Sequence, residues 1–238
     1  MGKSIMEQIA LLPVEEQKVV LAGMDMEQLV WDWHSWARPE QRPPATDDWS
    51  IWLYLAGRGA GKTRSAAEWV REKAKDSSKG QLRFALVART AADVRDVVVE
   101  GESGIMNISA PSEKPHYEPS KRRLTWPNGN VATLLTADEP DGLRGIQAHY
   151  AWADELAAWR QTPDAAGMTS WDNLRVATRL GSSPQIIATT TPKRVPVLYS
   201  LIDESKKTGK VLISKGSTLD NAGNLSETYL EAITGVYE

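Results

Sequence analysis

The chain contains no cysteine, which excludes disulfides, thiolate metal sites and cysteine nucleophiles and fits a reducing compartment. Its three histidines, His34, His116 and His149, show no H-E-x-x-H spacing, which argues against a zinc centre. No apolar run approaches the ~20 residues that span a bilayer, so no membrane partner is expected. The opening Met1-Gly2-Lys3-Ser4 leads into an amphipathic segment with no secretory core. A net charge of −3 is a poor basis for tight, autonomous DNA binding. Nucleic-acid contact would have to come from local basic patches or from several copies acting together. Phenylalanine occurs once against ten tryptophans. Tryptophans are read first as core and element-edge residues, and only second as base-stacking platforms.

What is present is an ordinary globular composition: 238 residues, 41% hydrophobic and 25% charged, enough for one large domain or one and a half. Residues 4–36 read as helical, with a start at Pro13, a stop at Gly23 and a further helix from Met26 to Trp36. Arg38-Pro39-Glu40-Gln41-Arg42-Pro43-Pro44 then breaks regular structure. From Ile51 onward strand and helix signals alternate, predicting a mainly parallel sheet with helices on both faces. Strands are expected at 50–56, 82–88, 122–126, 130–136, 148–153, 185–190 and 210–214. Helices are expected at 62–75, 91–100, 168–180, 195–207 and 226–234. Asn128-Gly129 predicts a tight hairpin turn with positive φ values.

Residues 56–63 read A-G-R-G-A-G-K-T, between an apolar strand signal and a helical one. A strand, a glycine loop and Lys-Thr opening a helix make a triphosphate cradle of Gly57, Arg58, Gly59, Ala60, Gly61, Lys62 and Thr63. Backbone N–H groups point at the phosphates and the helix N-terminus adds partial positive charge. Lys62 would reach the β- and γ-phosphates and Thr63 would hold Mg²⁺. Ala56 stands where the pattern usually has glycine, which is tolerable if its φ is negative. About ninety residues on, the apolar run 149–153 closes on Asp154 and Glu155. Asp154 is placed to order the Mg²⁺ water shell, and Glu155 to polarise the attacking water. A third apolar strand ends in Thr189-Thr190-Thr191, whose hydroxyls could sense the γ-phosphate or simply favour a strand. Ligands in open parallel α/β sheets sit at the carboxyl ends of strands, where all three features fall. The residues thus predict an ATP-binding hydrolase.

Arg58, inside the loop, is a candidate for a catalytic or switching role. Arg122 and Arg123 open the hairpin, and Arg144 lies in a turn before the acidic strand. Either cluster could donate an arginine across a subunit interface or contact DNA, or remain a solvated basic group. Gln41 could read an adenine edge or sit on the surface as an ordinary glutamine.

Five stretches together resemble the ATPase domain of the large terminase subunit of tailed phages and phage-like gene transfer agents. They are 37–44, 55–63, Gly142-Leu143-Arg144-Gly145 with the W-A-D-E-L-A-A-W run 152–159, and Thr190-Thr191-Pro192-Lys193. The resemblance covers residues 37 to about 220. It implies a RecA-like core of the additional-strand, catalytic-glutamate type, using ATP and Mg²⁺. It also implies a homo-oligomeric ring, commonly described as pentameric, that docks on a portal protein and drives double-stranded DNA into a procapsid. A small terminase subunit is a further partner and the bacterial host cytoplasm the location; in isolation the chain can be a monomer. Carried over by position, Gln41 looks like the adenine-reading glutamine, Lys62 and Thr63 the Walker A pair, and Asp154 and Glu155 the Walker B pair. Arg58 looks like the loop arginine and Thr189 to Thr191 the coupling motif, while Arg122, Arg123 and Arg144 compete for the role in trans. The expected organisation is a helical segment at 1–36 and an ATPase domain at 37–238. After Asn221 only one more helix is expected, leaving no room for the family's nuclease domain and predicting no DNA cleavage. Two alternatives stay open: a helicase-like DNA-dependent ATPase, and a ring-assembly module that binds nucleotide without turnover.

Overall fold

A computed structural model describes residues 2–46, 48–78 and 80–237; Met1 and Glu238, the outer bounds of the two expected segments, lie outside them. An eight-stranded sheet organises the chain, in spatial order β3-β4-β5-β2-β6-β7-β1-β8. Its strands are β1 (Ile51–Ala56), β2 (Arg83–Ala88), β3 (His116–Glu118), β4 (Arg123–Thr125), β5 (Val131–Thr136), β6 (Tyr150–Ala153), β7 (Gln185–Thr190) and β8 (Val211–Gly216). The six strands from β5 to β8 along this order are parallel, and β3 and β4 extend one edge antiparallel.

Every residue of β1 is buried, as a parallel strand covered on both faces requires. Its alternate residues supply two separate cores. Trp52, Tyr54 and Ala56 face Ala66, Trp69 and Val70 of the 14-residue helix Lys62–Lys75. Ile51, Leu53 and Leu55 share the other face with Leu174, Leu198 and Leu201, from helices Ser170–Ala177 and Pro196–Thr208. Seven of the ten tryptophans are buried, as core packing predicts; the other three lie at 31–36.

The structure departs from expectation in local detail. The helix expected from Met26 to Trp36 is two single turns, Met26–Leu29 and Trp33–Trp36. Asp25 and Asp32 each cap a new start: Asp25 Oδ1 accepts from the Glu27 and Gln28 amides, and Asp32 Oδ1 from that of His34. The helix expected at 91–100 is a short α-turn, Ala91–Asp93, running into a π-helical segment, Val94–Val99. In the hairpin only Gly129 has positive φ (87°), and its amide donates to the Trp126 carbonyl. Trp126 therefore begins a four-residue turn, with Pro127 second and a glycine bulge at Gly129, in place of a two-residue turn. Strand β3 and the helical turn Ile105–Ile108 are not among the elements expected from the sequence.

Asn130 joins three elements behind the sheet. Its Oδ1 accepts from the Leu82 amide (2.7 Å) and its Nδ2 donates to the carbonyls of Ala74 (2.8 Å) and Asp76 (3.2 Å), at 1% exposure. Asn130→Ala leaves a buried amide without an acceptor and should cost about 2–3 kcal/mol, read as a lowered urea midpoint at unchanged slope.

Candidate active site

The segment 57–61 leaves β1 and turns into the helix Lys62–Lys75 with all five of its carbonyls held from outside. Gly57 O accepts from Lys62 Nζ (2.9 Å), Arg58 O from Thr218 Oγ1 (2.7 Å) and Gly59 O from Asn221 Nδ2 (2.6 Å). Ala60 O accepts from Arg38 (3.0 Å), and Gly61 O from the amide and hydroxyl of Ser65. The Gly57 and Ala60 amides donate to the Gly216 and Gly57 carbonyls (3.2 and 3.4 Å), and with the carbonyls bonded outward the remaining loop and first-turn amides are left to an anion. Gly61 has a φ of 88°, and a Cβ there would collide with the Gln41 amide. Ala56 carries no positive φ, so the missing glycine at that position strains nothing.

Asp154 and Glu155 follow the carboxyl end of β6, next to β7 and two strands from β1. Thr189 Oγ1 donates to Asp154 Oδ1 (2.8 Å) and accepts from Trp152 Nε1 (3.2 Å), while Trp159 Nε1 donates to the Asp154 carbonyl (2.8 Å). Thr191 donates to Glu155 through its hydroxyl and its amide, both at 3.2 Å. Thr190 faces away: its hydroxyl accepts from the Ala157 amide and donates to the Thr191 carbonyl. Glu155 is one of two non-glycine residues with positive φ among those described (48°), which turns its side chain back toward the loop. Its Oε1 lies 3.5 Å from Lys62 Nζ. Lys62, Asp154, Glu155, Thr189 and Thr191 thus form one connected cluster.

Burial sets the protonation of this cluster. It lowers the Lys62 pKa, against the opposing pull of Glu155. It raises that of Asp154 to about 6, with the Thr189 hydrogen bond opposing and Glu155 adding. A desolvated carboxylate facing a helix-opening threonine suits a hard cation that keeps phosphate and water ligands. Among the described residues no three acidic or histidine side chains gather into a cage of their own. The donor set therefore fits a Mg²⁺ arriving with a nucleotide, which Thr63 and Asp154 would hold. Two clefts open at Thr63: one of about 640 Å³ includes Gln41, Lys62 and Arg64, and one of about 420 Å³ includes Arg58, Asp154, Glu155 and Thr191.

The other candidates are placed unevenly. Gln41 is buried (4% exposed), with its Oε1 accepting from the Arg38 amide and its Nε2 against Gly61. Arg58 is exposed on the smaller cleft. Arg123 lies on β4, three strands from β6, or about 14 Å at ordinary strand spacing. Arg122 beside it pairs with Glu139 (3.4 Å), and Arg144 pairs with Asp164 (2.9 Å) and Asp141 (3.5 Å). None of these three lines either cleft. Reasoning from sequence overlooked Arg38, Thr218 and Asn221, which brace the loop, and gave Trp152 and Trp159 no role. Arg38 and the tryptophans lie inside quoted motifs, but Thr218 and Asn221 are about 160 residues from the loop they hold.

A family model described as "Terminase large subunit, T4likevirus-type, N-terminal" matches residues 53–238. No curated protein matches by sequence. Similar solved structures include the large terminase of a thermophilic bacteriophage in complex with ADP, at 20% identity and TM-score 0.60 over 90% of this chain and 50% of that one. The Thermus phage P74-26 large terminase ATPase domain gives 15% identity and TM-score 0.57 over 93% and 92%. The HK97 bacteriophage large terminase gives 18% and 0.54 over 70% and 35%. The chain spans about half the length of the thermophilic bacteriophage's protein. At these identities the likeness establishes the fold, that of terminase ATPase domains.

The raised Asp154 pKa has a directional consequence for stability. Below pH about 4 the carboxyl is protonated in both folded and unfolded chains. Between about 4 and about 6 the unfolded chain releases the proton while the folded one retains it. Asp154 should therefore lower the stability of the nucleotide-free protein as pH rises through that window. Urea unfolding across pH 4–7 should show this part of the slope disappear in Asp154→Asn.

Proposed function

The chain belongs to the terminase large-subunit family matched over residues 53–238, and from that footing we propose that it is the ATPase motor of a phage DNA-packaging machine. ATP hydrolysis would drive double-stranded DNA into a procapsid. The carrying observation is the convergence of Lys62, Asp154, Glu155 and the threonines ending β7 on one rim of the sheet. Their relative placement suits in-line attack of water on a γ-phosphate.

The loop amides bind the phosphates and hold their orientation. An entering γ-phosphate competes for Lys62, which in the resting arrangement donates to Gly57 O and pairs with Glu155. Release from Lys62 leaves the Glu155 carboxylate free to orient and polarise the attacking water and to accept its proton. Magnesium, held by Thr63 and Asp154, would supply charge neutralisation on the phosphates. Arg58, exposed on the smaller cleft, adds positive charge where the transferred group gathers negative charge.

Coupling follows from the threonines. Thr189 is bonded to Asp154 and Thr191 to Glu155, so any change in either acid is felt directly at the end of β7 and in the segment leading to helix Pro196–Thr208. The working form is a homo-oligomeric ring on a portal protein, served by a small terminase subunit in the bacterial cytoplasm. An arginine from Arg122, Arg123 or Arg144 would act on the neighbour's nucleotide or on DNA. A ring can gather a few basic loops at its pore, so a net charge of −3 per chain does not oppose weak, cyclic DNA contact.

Glu155→Gln should lower ATP turnover by about two orders of magnitude or more while retaining ATP binding, and Lys62→Ala should lose both. The measurement is ATPase rate against protein concentration, with and without DNA and portal-bearing procapsids. Glu155→Gln turning over at the wild-type rate would overturn the catalytic assignment. Nucleotide binding without turnover in the wild type under all these conditions would favour the ring-assembly reading.

A further inference from the structure

The three tryptophans outside the core all fall within residues 31–36, ahead of the stretch matched by the family model. Two of them, Trp33 and Trp36, line the larger cleft together with Val30, Gln41 and the loop residues Gly59, Gly61, Lys62 and Thr63. Their states differ. The Arg64 guanidinium lies 5.3 Å from the centre of the Trp33 ring and is itself tied to Glu68, so Trp33 is braced from one side. Trp36 is 44% exposed, yet its orientation is fixed, because its Nε1 donates to the Leu29 carbonyl at 2.7 Å.

An immobilised indole with open ring surface, on the wall of a cleft that ends in a phosphate cradle, matches the planar part of a nucleotide. Ordering costs are small because the ring is already held, and stacking is available to any base face. We propose that Trp36 is the stacking platform for the base of the bound nucleotide. The turns Met26–Leu29 and Trp33–Trp36 are then part of the nucleotide site and not merely a helical extension. This rests on the reading of the loop as a triphosphate cradle. It adds a base-recognising side chain to the phosphate-recognising ones.

The test compares ATP with inorganic tripolyphosphate, which carries the phosphates without the base. Calorimetric affinities for both are measured on the full 238-residue chain as wild type, Trp36→Ala and Trp36→Phe. The expected result is about tenfold weaker ATP binding in Trp36→Ala and a loss within about threefold in Trp36→Phe, with tripolyphosphate binding unchanged in both. ATP affinity unchanged in Trp36→Ala would overturn the platform and leave the exposed ring to some other contact. Parallel loss of both ligands would overturn it too, by placing the defect in the loop. Wild-type protein that binds neither ligand would overturn the cradle reading itself, and the platform with it.

Discussion

The outward anchoring of the loop carbonyls is the constraint on which the site depends. A glycine-rich turn can point either its carbonyls or its amides at a ligand, and the two choices have opposite electrostatic sign. Here Lys62, Thr218, Asn221, Arg38 and Ser65 take the five carbonyls of residues 57–61 in turn. Polarity of the cradle is therefore decided by side chains from three separate stretches, before any ligand enters. Arg38 does most to hold these together, being bonded to Ala60 O, Asn221 and Glu40 while almost fully buried. Such a network is stable because its members satisfy one another in a desolvated place.

On the other side of the site the logic is reversed: acceptors are held by donors. β7 presents alternate hydroxyls, so Thr189 and Thr191 meet Asp154 and Glu155 while Thr190 is turned into the protein. A three-threonine run thus makes two contacts with the acids and one with the loop behind them, as strand alternation dictates. The acids are fastened to the strand that separates them from β1, which makes the sheet itself the link between cradle and acidic pair.

The seven expected strands all appear; β1, β2, β6 and β7 were legible because parallel strands buried on both faces read as continuous apolar runs. β3 has three residues and no such run, so nothing announced it. The break within the expected helix 26–36 lies at Asp32, whose carboxylate caps a second start, while Asp25 caps the expected one. The residues singled out around the loop lie together in space, whereas Thr218 and Asn221 carry no local signature and reach the loop only through the β8 crossover. Equally illegible was which threonine faces which acid, since that depends on the register of β7 against β6. The helix Val14–Ala22 buries none of its residues and bears Val14 and Val19 on the surface, a feature that composition alone does not distinguish from an ordinary amphipathic helix.

Glu155 occupies the left-handed region, where a side chain costs about 1–2 kcal/mol that glycine would not incur. Glycine there would relieve that local cost, but it would remove the carboxylate that pairs with the nearly buried Lys62 and accepts twice from Thr191. Keeping a carboxylate there means tolerating a conformational handicap at the residue to which the proposed mechanism gives the attacking water. Position 155 is accordingly where backbone ease and side-chain pairing pull in opposite directions within one residue.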